Sequence, residues 1–586
     1  MGAPLFSALL RWLAPSYSVQ TPSGTGSGYA PAPRDGSLTL PEAYYWHYEH
    51  NPHHPVFVWR GETGLVHLTY SDVIPAAQRA ARHVATAAGI ELRSSMTYTR
   101  PVIILAASDT VTYATTLIGL WLAGIPVFPI TPRFSPSVVT KLLQASNACH
   151  VFVSGENAVL ELVREAIGSL HPQSDGIPGI SLMPSYDELY HTSGDFVPLP
   201  SRQYDPSALA TISHSSGSTS FPKPIRWNLR CCSCYSIIDG ARDYLNEVIA
   251  CPAIELFHAW GITFLSTQPM TGYIMAVFPP SSPAAIPAAD TVYQCMVDCR
   301  ATYALIPPSL LMHWSGDLNR YAYLKEMKGI VYGGRFVSKP VGDFLVRSGV
   351  KINTVYGTTE TGIISTILRA ADDEDWEYFE INNHSNGILI PNNDIERSYR
   401  LVAGPTQALP VVNSEFNGRD AYVPGDALLP HPHKPGYWKL LGRVDDHIML
   451  STGEIVYPSP IESQLCHHQC IKGAVMFGRG QSRIGVILEP EHSSTPEGDL
   501  NSDVEAIIMM SAVEEVNKTS PPYARISREM IIFAHEAKPF TYTLKGLPRR
   551  AIIMKEYQPE IEAATRRYNA QAAPPPHTQN VPLIPL

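Results

Sequence analysis

The stretch ATTLIGLWLAGIPVFPI, residues 114–130, decides the fold. It is apolar enough to raise the question of a membrane span, but Gly119, Gly124 and Pro126 break it, and a span needs roughly 18 uninterrupted apolar residues. It reads instead as a buried helix, a glycine stop and a buried strand. Working outward, the spacing predicts strands over residues 102–106, 127–130 and 151–153 and helices over 110–123 and 138–148. Strands alternating with helices in this way predict a layered α/β domain built on parallel sheet.

The rest of the chain bounds what that domain can be. Its 586 residues carry 43 Lys+Arg against 53 Asp+Glu, a formal charge of −10. With no Lys/Arg-rich run, such a chain is a poor binder of nucleic acid or of an anionic membrane. Apolar residues make up 45%, enough for large cores and too many for a disordered chain. Nine cysteines without framework spacing suit a reducing compartment. The pairs Cys295/Cys299 and Cys466/Cys470 lack a second half at zinc-finger spacing and read as packed thiols, as do Cys231, Cys232 and Cys234. The N-terminus shows no signal peptide or myristoylation pattern, and the chain is expected to be soluble and cytoplasmic, with no membrane span. Residues 1–40 read as a flexible leader, 41–442 as a large core domain, 443–570 as a small C-terminal domain and 571–586 as a disordered Pro-rich tail.

The strongest local chemistry is HSSGSTSFPKP, residues 214–224, after an expected strand at 208–212. Small residues let backbone N–H groups approach an anion, hydroxyls donate further hydrogen bonds and Lys223 supplies charge, so the segment suits a phosphate. The same composition also suits a solvated Ser-rich turn. A Walker P-loop is excluded, because Pro222 occupies the position before Lys223.

This loop resembles the phosphate loop of adenylate-forming enzymes, the superfamily of acyl-CoA synthetases, peptide-synthetase adenylation domains and luciferases. Further segments resemble that family's motifs in the family's order. ELFHAWG (255–261) resembles its F-H-x-x-G segment, and YGG (332–334) its adenine-side glycine turn. VYGTTETG (355–362) resembles Y-G-x-T-E, YVPGD (422–426) Y-x-x-G-D, and GRVDDHI (442–448) the G-R-x-D hinge, followed by Gly453, Glu454 and the run from Pro458 to Glu462. The flanks, residues 105–135, 514–534 and 538–551, are similar to fungal peptide-synthetase-like proteins and carboxylic acid reductases. There the catalytic lysine sits in a T-x-K-G-x-x-x-R setting, which picks out Lys545.

The resemblance implies an α/β fold with a large N-terminal domain of layered sheets and helices and a small mobile C-terminal domain. It implies that ATP and a carboxylic acid combine to an acyl-adenylate and pyrophosphate, with Mg²⁺ bound at Glu360 beside Thr359. By the same resemblance Ser215, Ser216, Gly217, Ser218, Thr219 and Lys223 hold the phosphates, while Gly333, Gly334, Tyr356, Gly357 and Thr358 line the nucleotide. Asp426, aided by Arg443, takes the ribose hydroxyls. Lys545 bridges the carboxylate and α-phosphate, Asp445 is the hinge, and His258, Trp260 and Gly261 line the acyl pocket. Two departures stand out: Ser220 replaces a glycine in the phosphate loop, and Arg335 follows the glycine pair where a small residue is common.

Related domains that take α-amino acids commonly carry an Asp where this chain has His258, so the expected substrate is a non-amino acid, whether aryl, fatty or polyketide-derived. No carrier or reductase signature follows the small domain in this sequence, so the expected acceptor is coenzyme A. The alternatives are a phosphopantetheine carrier on a separate polyketide or peptide synthase, loaded in trans, and a non-catalytic nucleotide-binding homologue.

Overall fold

The structure is a computed structural model that describes residues 29–572 except 95, 171–175, 193–195, 216–221, 237–243, 335, 368–374, 383–384, 386, 392–397, 404–408, 445, 453, 492–501, 536 and 544–545. The chain divides into a larger unit, essentially up to Leu440, and a smaller one from Leu441 onward.

The helix Thr110–Ala123 shows why the opening stretch folds as it does. Asp109 caps it, its carboxylate accepting from the Thr112 N–H at 2.9 Å, and Gly124 ends it in the left-handed region at φ +68°. Every residue from Val111 to Ala123 is buried, as expected of a helix apolar all round. Gly119 permits a close helix crossing, because a Cβ there would lie 2.1 Å from the Ala77 carbonyl oxygen of the helix Tyr70–Ala87.

Around this helix stand two sheets. The six-stranded sheet runs Gly179–Leu182, His150–Val153, Val102–Leu105, Val127–Pro129, Leu209–His214, Pro224–Asn228, parallel until its last, antiparallel pair. The seven-stranded sheet runs Ile352–Val355, Gly329–Gly333, Tyr303–Ile306, Val248–Ala250, Ile274–Ala276, Pro55–Arg60, Leu65–Thr69, parallel except for its terminal hairpin. Alternate residues of this second sheet serve different cores. Phe57, Ile249, Met275, Leu305 and Val331 face the core that holds the helix Thr110–Ala123, whereas Val58, Ala250, Ala276, Ile306 and Ile330 face a second core. A five-stranded sheet, Tyr378–Glu380, Tyr437–Arg443, Asp426–Pro430, Tyr399–Ala403, Gly387–Pro391, packs its own cluster around Tyr356, Phe379, Leu401 and Leu428.

The smaller unit is a three-stranded sheet, Ile471–Phe477, Gly485–Pro490, Ile531–Phe533, covered on both faces. Val486 and Leu488 meet residues of the helix Ser502–Thr519, while Ile487 meets Ile553 and Ile561 of the last two helices and Tyr557 between them.

Most of the expected leader, and all of the expected tail beyond residue 572, lie outside the described residues, while residues 571 and 572 end the helix Gln558–Ala572. The end of the leader is packed rather than flexible: the Ala30 N–H donates to Asn51 Oδ1 at 2.8 Å, Asn51 Nδ2 returns a bond to the Ala30 carbonyl at 2.7 Å, and Ala32 is buried. The Tyr29 ring lies against His47 and His54. Pro and Gly content marked the segment as loop, and a loop whose polar groups find partners is ordered all the same. Cys231, Cys232, Cys295 and Cys299 are buried in the cores. No described helix is long and apolar enough to cross a membrane.

Candidate active site

The hairpin of Leu209–His214 and Pro224–Asn228 carries the Ser/Gly-rich loop at its tip. Its neck is closed by two bonds. The Ser215 N–H donates to the Lys223 carbonyl at 3.0 Å, and the Lys223 N–H donates to Ser215 Oγ at 3.0 Å. Ser216, Gly217, Ser218, Thr219 and the departing Ser220 lie outside the described residues. The buried His214 ring stands edge-on to Phe134 at 5.0 Å and to His258 at 6.5 Å, so the neck lies beside the segment expected to line the acyl pocket.

His258 is the N-cap of the helix Ala259–Thr271, its Nδ1 accepting from the Trp260 N–H at 3.3 Å. Trp260 packs beside Gly333, where a Cβ would come within 3.5 Å of the indole. Residues expected on the acyl side and on the adenine side therefore meet, and a side chain at 333 would also press on the Val355 carbonyl at 2.9 Å. Gly334 turns the chain at φ +78°, and Arg335 lies outside the described residues. Gly261 owes its identity to packing, because a Cβ there would strike the Glu255 carbonyl at 2.4 Å. Glu255 pairs with Arg133, which also lies over the Phe257 ring at 5.8 Å. Burial pushes the Glu255 carboxyl up and the guanidinium opposes it.

The turn after the strand Ile352–Val355 holds itself by short contacts. Gly357 pairs with Ile363 and Thr358 with Gly362, leaving no room for a Cβ at 357, only 2.4 Å from the Gly362 carbonyl. The Thr358 and Thr361 hydroxyls lie 2.9 Å apart. Tyr356 stacks on Phe379 at 5.4 Å, and its hydroxyl donates to Asp426 Oδ2 at 2.6 Å, with both residues buried. Two expected nucleotide-side residues 70 positions apart are thus joined directly. Thr359 is buried, and its carbonyl accepts from Trp227 Nε1 at 3.0 Å. Trp227 lies on the second strand of the hairpin that carries the Ser/Gly-rich loop, so one bond fastens the Glu360 turn to that hairpin.

Glu360 is half-buried on this turn. Among the described residues no three His, Cys, Asp or Glu side chains gather into a metal cage. A single carboxylate fits Mg²⁺ all the same, because that ion usually takes one or two protein carboxylates and completes its shell with waters and substrate phosphates.

In the smaller unit Gly442 sits at φ +132° and Arg443 ends the strand Tyr437–Arg443, with Asp445 outside the described residues. Arg550 donates through Nη2 to both Glu462 oxygens at 2.6 Å and through Nη1 to the Met476 carbonyl at 2.7 Å. Lys545 also lies outside the described residues; on either side of it the Thr543 N–H donates to the Leu547 carbonyl at 2.7 Å and the Arg549 N–H to the Thr541 carbonyl at 2.8 Å.

A separate cavity of about 440 Å³ is lined by Trp121, Arg202, Tyr204 and neighbours and contains none of the expected site residues. Trp227, Arg133 and the Tyr356–Asp426 bond were not legible as site features. The available signal for Trp227 is general: a buried indole N–H usually finds an acceptor.

A phosphate-suited hairpin, a glycine turn under an aromatic ring, a buried Tyr–Asp pair and a separate small α/β unit define the architecture of an adenylate-forming enzyme. The chain belongs to the AMP-binding enzyme family, which it matches over residues 45–396, and residues 445–569 match the AMP-binding enzyme C-terminal domain. It is 34% identical over 545 residues to "Adenylate-forming reductase Nps10" of Heterobasidion annosum, covering 91% of this chain and 50% of that protein. To the "Carboxylic acid reductase" of Neurospora crassa it is 24% identical, covering 84% of this chain and 47% of that one. The chain thus spans about half the length of these curated relatives. In fold it resembles the anthranilate CoA ligase AuaEII in complex with anthranoyl-AMP, with TM-score 0.66, 15% identity and coverage of 91% and 98%. It equally resembles the A domain of carboxylic acid reductase from Segniliparus rugosus, with TM-score 0.64, 14% identity and coverage of 92% and 95%.

Proposed function

We propose that this chain activates a non-amino carboxylic acid, whether aryl, fatty or polyketide-derived, with ATP. A carboxylate oxygen forms a bond to the α-phosphorus, the bond between the α- and β-phosphates breaks, and pyrophosphate leaves. A thiol then attacks the acyl carbon and AMP leaves. The observation that carries the reading is the joining of the expected nucleotide residues: Trp227 ties the Thr359 turn to the phosphate-loop hairpin, and Tyr356 holds Asp426.

Both reactants of the first step are anions, so the work of the site is charge neutralisation and positioning. The loop from Ser215 to Lys223 supplies backbone N–H groups, hydroxyls and one ammonium to the phosphates, with Ser216, Gly217, Ser218 and Thr219 in that role. Asp426 accepts from the ribose hydroxyls, with Tyr356 fixing the carboxylate and Arg443 aiding it. Mg²⁺, when bound at Glu360, screens the phosphate charge. Lys545 bridges the reacting carboxylate and α-phosphate, His258 and Trp260 border the acid, and Asp445 is the pivot of the small domain between half-reactions.

The thiol in this proposal is that of coenzyme A, which makes the chain an acid–thiol ligase. Likeness to proteins named adenylate-forming reductases favours a second reading, in which the acceptor is a phosphopantetheine carrier. Mass analysis separates them: an acid that triggers pyrophosphate release is mixed with coenzyme A, and the thioester is looked for directly. A thioester supports the ligase. Acyl-adenylate that persists with coenzyme A, yet loads a pantetheinylated carrier, supports the second reading. Replacement Lys545→Ala is expected to abolish adenylation and spare thioester formation from a supplied acyl-adenylate; equal loss of both steps counts against its role.

A further inference from the structure

The bond between Trp227 and Thr359 has a consequence for metal affinity. Trp227 is only 1% exposed and sits in the hydrophobic core, paired with Thr211 across the hairpin. Thr211 is itself held, its Oγ1 accepting from Trp121 Nε1 at 2.9 Å. The indole therefore projects from a strand whose hairpin partner is itself held by a side-chain bond in the core. It lies four residues beyond Lys223, about 13 Å along an extended strand. Its N–H reaches the carbonyl of Thr359, the residue before Glu360.

The Glu360 turn is closed within itself by the Gly357–Ile363 and Thr358–Gly362 pairs and by the Thr361 N–H to the Thr358 carbonyl at 3.2 Å. Those bonds fix the shape of the turn and leave its placement against the hairpin strands Leu209–His214 and Pro224–Asn228 to contacts from outside. The Trp227 bond joins the two elements directly.

We infer that Trp227 is a positioning residue that sets the Glu360 carboxylate against the neck of the hairpin at Lys223, so that Mg²⁺ and ATP are bound together. The inference rests on the reading that Glu360 binds Mg²⁺. It separates placement from chemistry: Trp227 is buried in the core, and removing its N–H leaves both Glu360 and Lys223 in the chain. What is lost is the register between them. ATP binding that depends on Mg²⁺ then weakens, whereas binding of ATP without the ion is unaffected.

The test is calorimetric titration of ATP into the full chain across a MgCl₂ series and in EDTA, without any acid substrate. The variants are W227F, which keeps a large ring and loses the N–H, and W227M, an adaptable apolar side chain without a donor, which serves should W227F not fold. The expected result is ATP affinity in saturating MgCl₂ lowered about ten-fold, the scale of one buried carbonyl left unsatisfied. The Mg²⁺ concentration at half-effect rises, and affinity in EDTA stays within about two-fold of wild type by the same arithmetic. A Mg²⁺ dependence identical to wild type overturns the inference, and so does an equal loss with and without the ion. Glu360→Gln distinguishes the underlying reading. If that variant keeps the wild-type Mg²⁺ dependence, the assignment of Glu360 fails; if it loses it while W227F does not, only the role of Trp227 fails.

Discussion

Replacing Tyr356 by Phe removes one hydroxyl from the interior and keeps the ring that stacks on Phe379. The hydroxyl donates to Asp426 Oδ2 at 2.6 Å, and Asp426 is 8% exposed, so water has little access to take its place. A hydrogen bond to a charged acceptor contributes about 1.5–3 kcal/mol, and an acceptor stranded in the interior incurs its desolvation cost. If the carboxylate holds the ribose, that energy is the ceiling on lost nucleotide affinity, roughly 10- to 100-fold at 1.4 kcal/mol per factor of ten. Calorimetric titration with ATP and with 2′-deoxy-ATP reads the effect. Y356F is expected to bind ATP several-fold to tens-fold more weakly, by the same conversion, and to discriminate less between the two nucleotides. An ATP affinity and a discrimination ratio both equal to wild type would refute the reasoning.

Gly119→Ala forces a methyl against the Ala77 carbonyl and is expected to destabilise the larger unit by about 1–3 kcal/mol, read as a fall in its thermal midpoint. Glu462→Ala leaves Arg550 only the more distant Asp446 carboxylate at 3.9 Å and is expected to cost the smaller unit about 3 kcal/mol, while the double variant with Arg550→Leu recovers part of the loss. His47 is buried, bonded to the Pro269 carbonyl and to Asn51, and burial lowers its pKa from 6.5 to about 4. Between those values the unfolded chain binds the extra proton, so stability is lost as pH falls through this window, by up to about 3 kcal/mol. Thermal midpoints from pH 7 to pH 4 should fall less steeply in His47→Gln than in wild type.

What the sequence made legible follows from which forces are local. The helix Thr110–Ala123 was readable to the residue because its cap, Asp109, and its stop, Gly124, are part of the chain around it. The strands were readable to within a residue or two, since buried parallel strands are continuous apolar runs. Motif order fixed the family, but not which residues touch: Tyr356 and Asp426 are 70 positions apart, and nothing local pairs them. Trp227 was invisible for the same reason, as one Trp in a strand whose acceptor lies 132 residues on. The contacts of Tyr29 and Ala30 are not legible either, because their partners, His47 and Asn51, lie in the next element and leave no mark on loop composition.

The central claim is adenylation of a non-amino acid. Acid-dependent exchange of labelled pyrophosphate into ATP, with Mg²⁺ and a panel of aryl, fatty, polyketide-like and α-amino acids, tests it most directly. The account predicts exchange with at least one non-amino acid, no exchange with the α-amino acids, and loss of exchange in Lys545→Ala. ATP binding without exchange for any acid, or exchange confined to α-amino acids, would contradict it.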